Sequence, residues 1–301
     1  MDLATATVVL VRVFLVVTML VIGIRLADAD LEPGTDRPRL VAALLGLNVL
    51  VVPLIGVGFA FGFGLGSAVA VAFVAVALAP AGSIAPKLAQ IAGGDLRLAI
   101  AATFILSIVG AITLGPGLAA ADRWLGLTPA TGSLDLWSVV ASLVVFQLTP
   151  TVVGWTIGRR SPSLAHRMAR PLLLVSNALI ILVVLVAVAD TYDEVLGLGP
   201  IPVVAMLLFT LVSQAIGRAI GGGSAATRRA GMLVTAQRSP GLALLVVAGP
   251  GHALETATVT VFALVLLVVN GTAALWFGRG SITPAERRPY RSYVRAMLQE
   301  R

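Results

Sequence analysis

The strongest chemical signal in this sequence is a run of four residues inside an apolar stretch, Arg238-Ser239-Pro240-Gly241. Arginine keeps its charge and presents a planar fork of donors that fits a carboxylate or sulfonate. At mid-bilayer such a residue costs at least ~2.5 kcal/mol on insertion scales, so it must face a bundle interior or a wet cavity. A second run, Pro80-Ala81-Gly82-Ser83-Ile84-Ala85-Pro86-Lys87, places two prolines and a glycine within seven residues. Each proline removes a backbone donor and clashes with the preceding turn, so a continuous helix is not expected there. Around these runs, Arg238, Ser239, Ser83, Gln237, Asn48 and Thr103 are candidate lining for a small anionic substrate. Pro80, Gly82, Pro86, Pro240 and Gly241 are the candidate broken-helix backbone. The competing reading of Arg238 is structural, with its guanidinium bonded to broken-helix carbonyls. The small polar residues have the same alternative, as hydrogen-bonding contacts between helices.

Other chemistries lack their residues. The chain has no cysteine, which removes disulfides, thiolate nucleophiles and thiolate metal sites. His166 and His252 are expected in loops and form no metal-ligand cluster, so neither a metal nor a cofactor is expected. Gly217, Gly221, Gly222 and Gly223 are not followed by the Lys-Ser/Thr of a phosphate loop. Ser239 has no histidine near it in sequence, so no catalytic residue is assigned and no enzyme is expected. Asn177, Gln214 and Asn270 are mid-span amides expected to bond helix to helix. Arg12 and Lys87 lie near span ends, where snorkelling suffices.

The elements that position these residues follow from composition. The chain is 58% hydrophobic and only 12% charged, with 301 residues and a mean hydropathy of +1.01. A soluble domain could not cover that apolar surface, whereas a bilayer can. Apolar stretches long enough to span lie near 5–26, 38–62, 66–92, 96–120, 134–158, 170–190, 199–222, 228–249 and 254–278. They read as one all-α transmembrane domain, 1–278, of about nine helices, followed by a basic cytoplasmic tail, 279–301. No acidic residue is expected inside a span. The net charge of +7 does not point to nucleic acid, because no basic run carries interleaved aromatics.

Loop charge gives an orientation. Arg25, Arg37, Arg39, Lys87, Arg97, Arg159, Arg160, Arg167, Arg170, Arg218, Arg228, Arg229 and the tail arginines fall on one side, and Arg123 alone on the other. The positive-inside rule then places the N-terminus outside and the C-terminus in the cytoplasm of an inner (plasma) membrane protein. The stretch 13–24 before Ala27-Asp28-Ala29 imitates a signal peptide. Removing it would invert nearly every basic loop, so it is read as a retained helix.

Paired broken helices, one per structural repeat, build the midplane sites of secondary transporters. Here the breaks fall in the third and eighth spans, a spacing that suits an inverted repeat. In detail, Pro80-Ala81-Gly82-Ser83 with Ala92-Gly93-Gly94-Asp95, the opening Met19–Leu26, Asn48 before Pro53, and Arg238-Ser239-Pro240-Gly241-Leu242-Ala243 resemble the bile acid:sodium symporter family over roughly 15–278. The resemblance implies a transporter in which a panel rocks against a core whose two broken helices cross near the substrate. It implies that the first helix of that ten-helix fold is missing here. The family's sodium ligands are mostly replaced: Ala85, Pro86, Ala99 and Val234 stand at matching positions, while Thr103 and Asn48 are retained. Sodium is thus an implied partner whose ligand positions are largely lost. Arg238 supplies positive charge where relatives hold sodium. The function expected is secondary transport of a small organic anion by alternating access. The alternatives are an oxyanion or arsenite-like efflux permease of the same fold, and a non-transporting membrane sensor or scaffold.

Overall fold

The computed structural model describes residues 3–28, 38–80, 82–126, 141–142, 144–248 and 251–279, and no strand occurs among them. The basic tail beyond Arg279 lies outside the described residues, as does part of the expected span 134–158.

The chain opens with α1 (Leu3–Asp28). A second span combines α2 (Pro38–Gly46), a π turn (Leu47–Val51) and α3 (Val52–Gly62). Pro53 follows that π turn, and Pro150 follows a second one, Val144–Leu148, which leads into α7 (Thr149–Arg160). A proline cannot donate to the carbonyl four residues back, and widening the preceding turn accommodates the loss. Between them lie α4 (Ser67–Leu78), α5 (Ala85–Ile91) and α6 (Leu96–Leu125). The chain continues with α8 (Pro162–Asp190), the short α9 (Tyr192–Gly197) and α10 (Pro200–Ile220). It ends with α11 (Ala225–Ala236), α12 (Pro240–Val247) and α13 (Ala253–Arg279).

Among the described residues, six helices are long and apolar enough to cross a bilayer, or seven if a bent pair counts as one. The bent pair is Leu96–Gly110 with Ile112–Arg123, turned by 51°. Pro116 sits four residues past Ile112 and removes the hydrogen bond that would hold the helix straight there. The expected third span, 66–92, is two half-helices, α4 and α5. That is the break expected from its two prolines, and among the described residues the expected count of about nine helices is not reached.

Two groups of helices result. In the first, α1, α7 and α8 pack on one another. Gly23, Gly154 and Gly158 let the α1 and α7 backbones touch: a Cβ on Gly154 would overlap the Leu20 carbonyl, and one on Gly23 the Thr151 carbonyl. Small residues at such spacing are the usual means of close approach in lipid, where dispersion rather than hydrophobicity drives packing. The second group surrounds α4, whose residues Val69 to Ala77 are all buried. A helix apolar on every side belongs at such a centre. Phe73 of α4, Phe209 of α10 and Phe262 of α13 interlock there, with ring centroids 4.9 to 5.7 Å apart. We refer to the first group as the panel and the second as the core.

Candidate functional site

The two breaks meet. The third span stops at Leu78 and resumes at Ala85; the eighth stops at Ala236 and resumes at Pro240. The linkers cross and hold each other by two backbone hydrogen bonds. Gly82 N–H donates to the Gln237 carbonyl at 2.8 Å, and Ser239 N–H donates to the Ala79 carbonyl at 2.9 Å. These bonds replace the helical partners that the prolines deny, as buried backbone requires. Gly82 is needed for the close approach, because a Cβ there would overlap the Arg238 carbonyl. Pro80 packs on Gly110 of α6, where a Cβ would fall 2.8 Å from the proline ring.

Arg238 is completely buried at this crossing. Its Nη1 donates to Asn48 Oδ1 at 2.8 Å, and its Nη2 donates to the Asn48 carbonyl at 3.4 Å and to the Ala77 carbonyl. Its Nε reaches the Val76 carbonyl at 3.5 Å. The guanidinium thus lies at the carbonyl end of α4, where the helix dipole favours a cation. The structural reading of Arg238, bonded to broken-helix carbonyls, is realised. Asn48, on the π turn, stands behind the guanidinium rather than on an open wall. Its amide donates to the Leu44 carbonyl at 2.8 Å and to Thr235 Oγ1 at 3.2 Å.

A chain of amides extends from the crossing into the core. Gln214 donates to Asn270 at 2.8 Å, Asn270 donates to Gln237 Oε1 at 2.9 Å, and Gln237 donates to the Arg238 carbonyl at 3.3 Å. Gln214 and Asn270 therefore bond helix to helix, as expected from the sequence. Asn177 of α8 differs. It borders open space on the panel and makes no hydrogen bond among the described residues. The interhelical contact expected of it is not seen among the described residues.

Two clefts separate panel from core and meet at the crossing. The first spans about 890 Å³, its open mouth included, and is bordered by Ser83, Gln237, Arg238, Ser239, Pro240 and Gly241 of the core. Its other walls are largely apolar, with Phe14 of α1, Ile180, Val183 and Val184 of α8, Leu244 of α12, and Leu264 and Leu267 of α13. The second, about 570 Å³, is bordered by Thr18, Arg25, Pro86, Ile100, Thr103 and Leu173. Ser83, Ile84, Ser176 and Asn177 border both. Along α1 the first cleft touches Phe14 and the second reaches Arg25, roughly 16 Å further at 1.5 Å per residue. The same shift runs backwards along α8, from Val184 to Leu173, so the clefts are stacked along the helix axes. At their junction Thr18 and Ser176 share a 2.6 Å hydrogen bond between panel helices.

The candidate residues are therefore divided. Arg238, Ser239, Ser83 and Gln237 are gathered at the first cleft, Thr103 and Pro86 border the second, and Asn48 acts on Arg238 from behind. Thr103 Oγ1 is buried without a hydrogen-bond partner. Among the described residues the hydroxyls of Ser83 and Ser239, which border the first cleft, make no hydrogen bond. Sequence reasoning missed the panel side entirely: Phe14, Thr18 and Ser176 carry no motif, and only the mid-span amide of Asn177 gave a signal.

Other residues are placed differently from expectation. His166 lies in the second turn of α8 rather than in a loop, because Pro162 starts the helix earlier. Glu255 is an acid inside an expected span. It sits in the first turn of α13, 2% exposed, 3.3 Å from His252 Nδ1. An acid in the first turn complements the helix dipole, which explains its tolerance there. Arg12 stacks over the Phe146 ring at 5.3 Å, and Lys87 is exposed. Among the described residues, no three His, Cys, Asp or Glu side chains come together to hold a metal.

A family model described as the Sodium Bile acid symporter family matches residues 12–198. The match covers the panel and the first break and ends before the second. No curated protein matches the chain.

Proposed function

The chain belongs to the sodium bile acid symporter family, a family of membrane transporters, and from that premise we propose that it carries a small organic anion across the bilayer by alternating access. The observation that carries this reading is the pair of stacked clefts that share Ser83, Ile84, Ser176 and Asn177. A rigid-body shift of the panel against the crossed linkers would open one cleft while closing the other, exposing the same four residues to each side in turn. Loop charge orients the cycle, with the Arg25 end of the second cleft facing the cytoplasm of an inner-membrane protein.

The chemistry of the first cleft supports an organic anion. Arg238 supplies a positive field, the hydroxyls of Ser83 and Ser239 are uncommitted donors, and the Asn177 amide faces them from the panel. The walls beyond are apolar, with Phe14, Ile180, Val183, Leu244 and Leu267. That favours a substrate with a hydrocarbon body over a small inorganic oxyanion, which has nothing to offer such walls. No catalytic group is required by this reading.

The test is uptake by the purified protein in proteoliposomes, comparing aliphatic and aromatic sulfonates and carboxylates with arsenite and sulfate. We expect uptake of one or more organic anions above protein-free vesicles. Uptake of the inorganic oxyanions alone would overturn the organic-anion assignment.

A further inference from the structure

We propose that Arg238 is a tethered cation that takes the place of a mobile coupling ion, so that the cycle moves its anion without sodium. This deepens the transport reading above and rests on it for its consequence, but its structural premise stands apart. The Asn48 and Ala77 carbonyls, Asn48 Oδ1 and, more distantly, the Val76 carbonyl all point at one guanidinium. These oxygens are neutral, and among the described residues no carboxylate forms an ion pair with Arg238. The oxygens nevertheless sit in a strongly negative place. The carbonyl ends of α4 and α11 converge at the crossing, and each helix end carries a fraction of an elementary negative charge. A cage of neutral oxygens at converging helix ends is the arrangement that binds an alkali cation.

Here the cage is already filled by a cation fastened to the chain. A sodium ion could not enter without sharing acceptors with the guanidinium and meeting its charge at contact distance, so the two exclude one another. Arg238 also borders the first cleft, but its guanidinium is fully buried and spent on the cage, so it acts on an anion there through its charge and not by contact. A tethered charge cannot be released to either side. The work a bound ion would do by arriving and leaving is therefore absent, and the anion's own gradient and charge drive the cycle.

Two measurements test this. The first needs no substrate: the thermal unfolding midpoint of the purified protein in sodium, potassium and choline chloride at equal ionic strength. The wild type is expected to unfold at the same temperature in all three. Arg238→Ala empties the cage, and its lowered midpoint should rise with millimolar methylguanidinium or sodium but not with choline. Arg238→Lys should stay cation-indifferent. Sodium-specific stabilisation of the wild type would overturn the proposal, as would an Arg238→Ala protein indifferent to every cation. Should Arg238→Ala not fold, the wild-type and Arg238→Lys series still decides.

The second measurement is proteoliposome uptake of naphthalene-2-sulfonate, with potassium diffusion potentials set by valinomycin. Uptake should rise with an inside-positive potential and stay within twofold when choline replaces sodium. A sodium requirement overturns the tethered-cation proposal and leaves transport standing. Failure of naphthalene-2-sulfonate and of every sulfonate and carboxylate in the uptake test above to enter overturns the transport reading instead, while the unfolding series still judges the cage.

Discussion

At the scale of single residues, the crossing depends on one missing side chain. Gly82 brings its backbone onto Gln237 and Arg238, and its N–H donates to the Gln237 carbonyl at 2.8 Å. The obstacle to a Cβ is backbone, which cannot turn aside as a flexible side chain could. Gly82→Ala should therefore lower stability by about 1–3 kcal/mol, the usual range for overpacking, read as the thermal unfolding midpoint in detergent. An unchanged midpoint would mean that the linkers do not cross as described. Asn177 predicts the opposite pattern. With no hydrogen-bond partner among the described residues, Asn177→Ala should shift stability by less than about 0.5 kcal/mol. The same change should raise the transport KM roughly two- to tenfold, the worth of one hydrogen bond. A parallel loss of stability and transport would place Asn177 in the packing instead. Arg238 was legible because a charge in an apolar run is conspicuous whatever surrounds it. Its pairing with Asn48, a residue also named from the sequence, was not, since 190 residues separate them and only the fold brings them together. Asn177 was misjudged because a mid-span amide looks the same in sequence whether it is bonded or free.

At the scale of elements, glycine and proline mark most of what could be read ahead of the structure. Pro80, Pro86 and Pro240 announce the breaks, and the span 38–62 has the limits expected from hydropathy. Hydropathy alone does not tell a broken span from a whole one; the prolines between α4 and α5 do. Nor could it show that Ser161 alone separates α7 from α8, because the arginines around it look like a loop. Integrity of the panel is open to a direct check. Gly154 lies against the Leu20 carbonyl and the Ile24 amide of α1, leaving no room for a branched side chain. Gly154→Val should separate α1 from α7 and cost 1–3 kcal/mol or somewhat more by the same overpacking argument. Gly271, with nothing near its Cβ position, provides the control. Gly271→Ala should leave the midpoint unchanged or slightly raised, since alanine is the better helix former. Equal losses at both positions would show that close approach is not what holds the panel together.

At the scale of the whole molecule, the stacked clefts make a claim about which residues share access to both sides. The protein has no cysteine, so single introduced thiols report without background. Phe14→Cys and Leu267→Cys belong to the first cleft alone, and Thr103→Cys and Leu173→Cys to the second. A membrane-impermeant maleimide applied outside should reach the first pair, and the same reagent applied inside should reach the second. Asn177→Cys and Ser83→Cys sit at the junction and should react from both sides across a population of molecules, though from only one side in any molecule at a given moment. A transported anion should slow both reactions, because it occupies the junction and shifts the balance between the two arrangements. A continuous channel gives a different pattern, in which reagent from either side labels the whole series. A fixed scaffold gives a third, in which the junction reacts from one side only and no anion alters its rate. The junction residues thus separate the three behaviours without knowledge of the substrate. They do so because Ser83 belongs to the core and Asn177 to the panel, so both moving parts report on one motion.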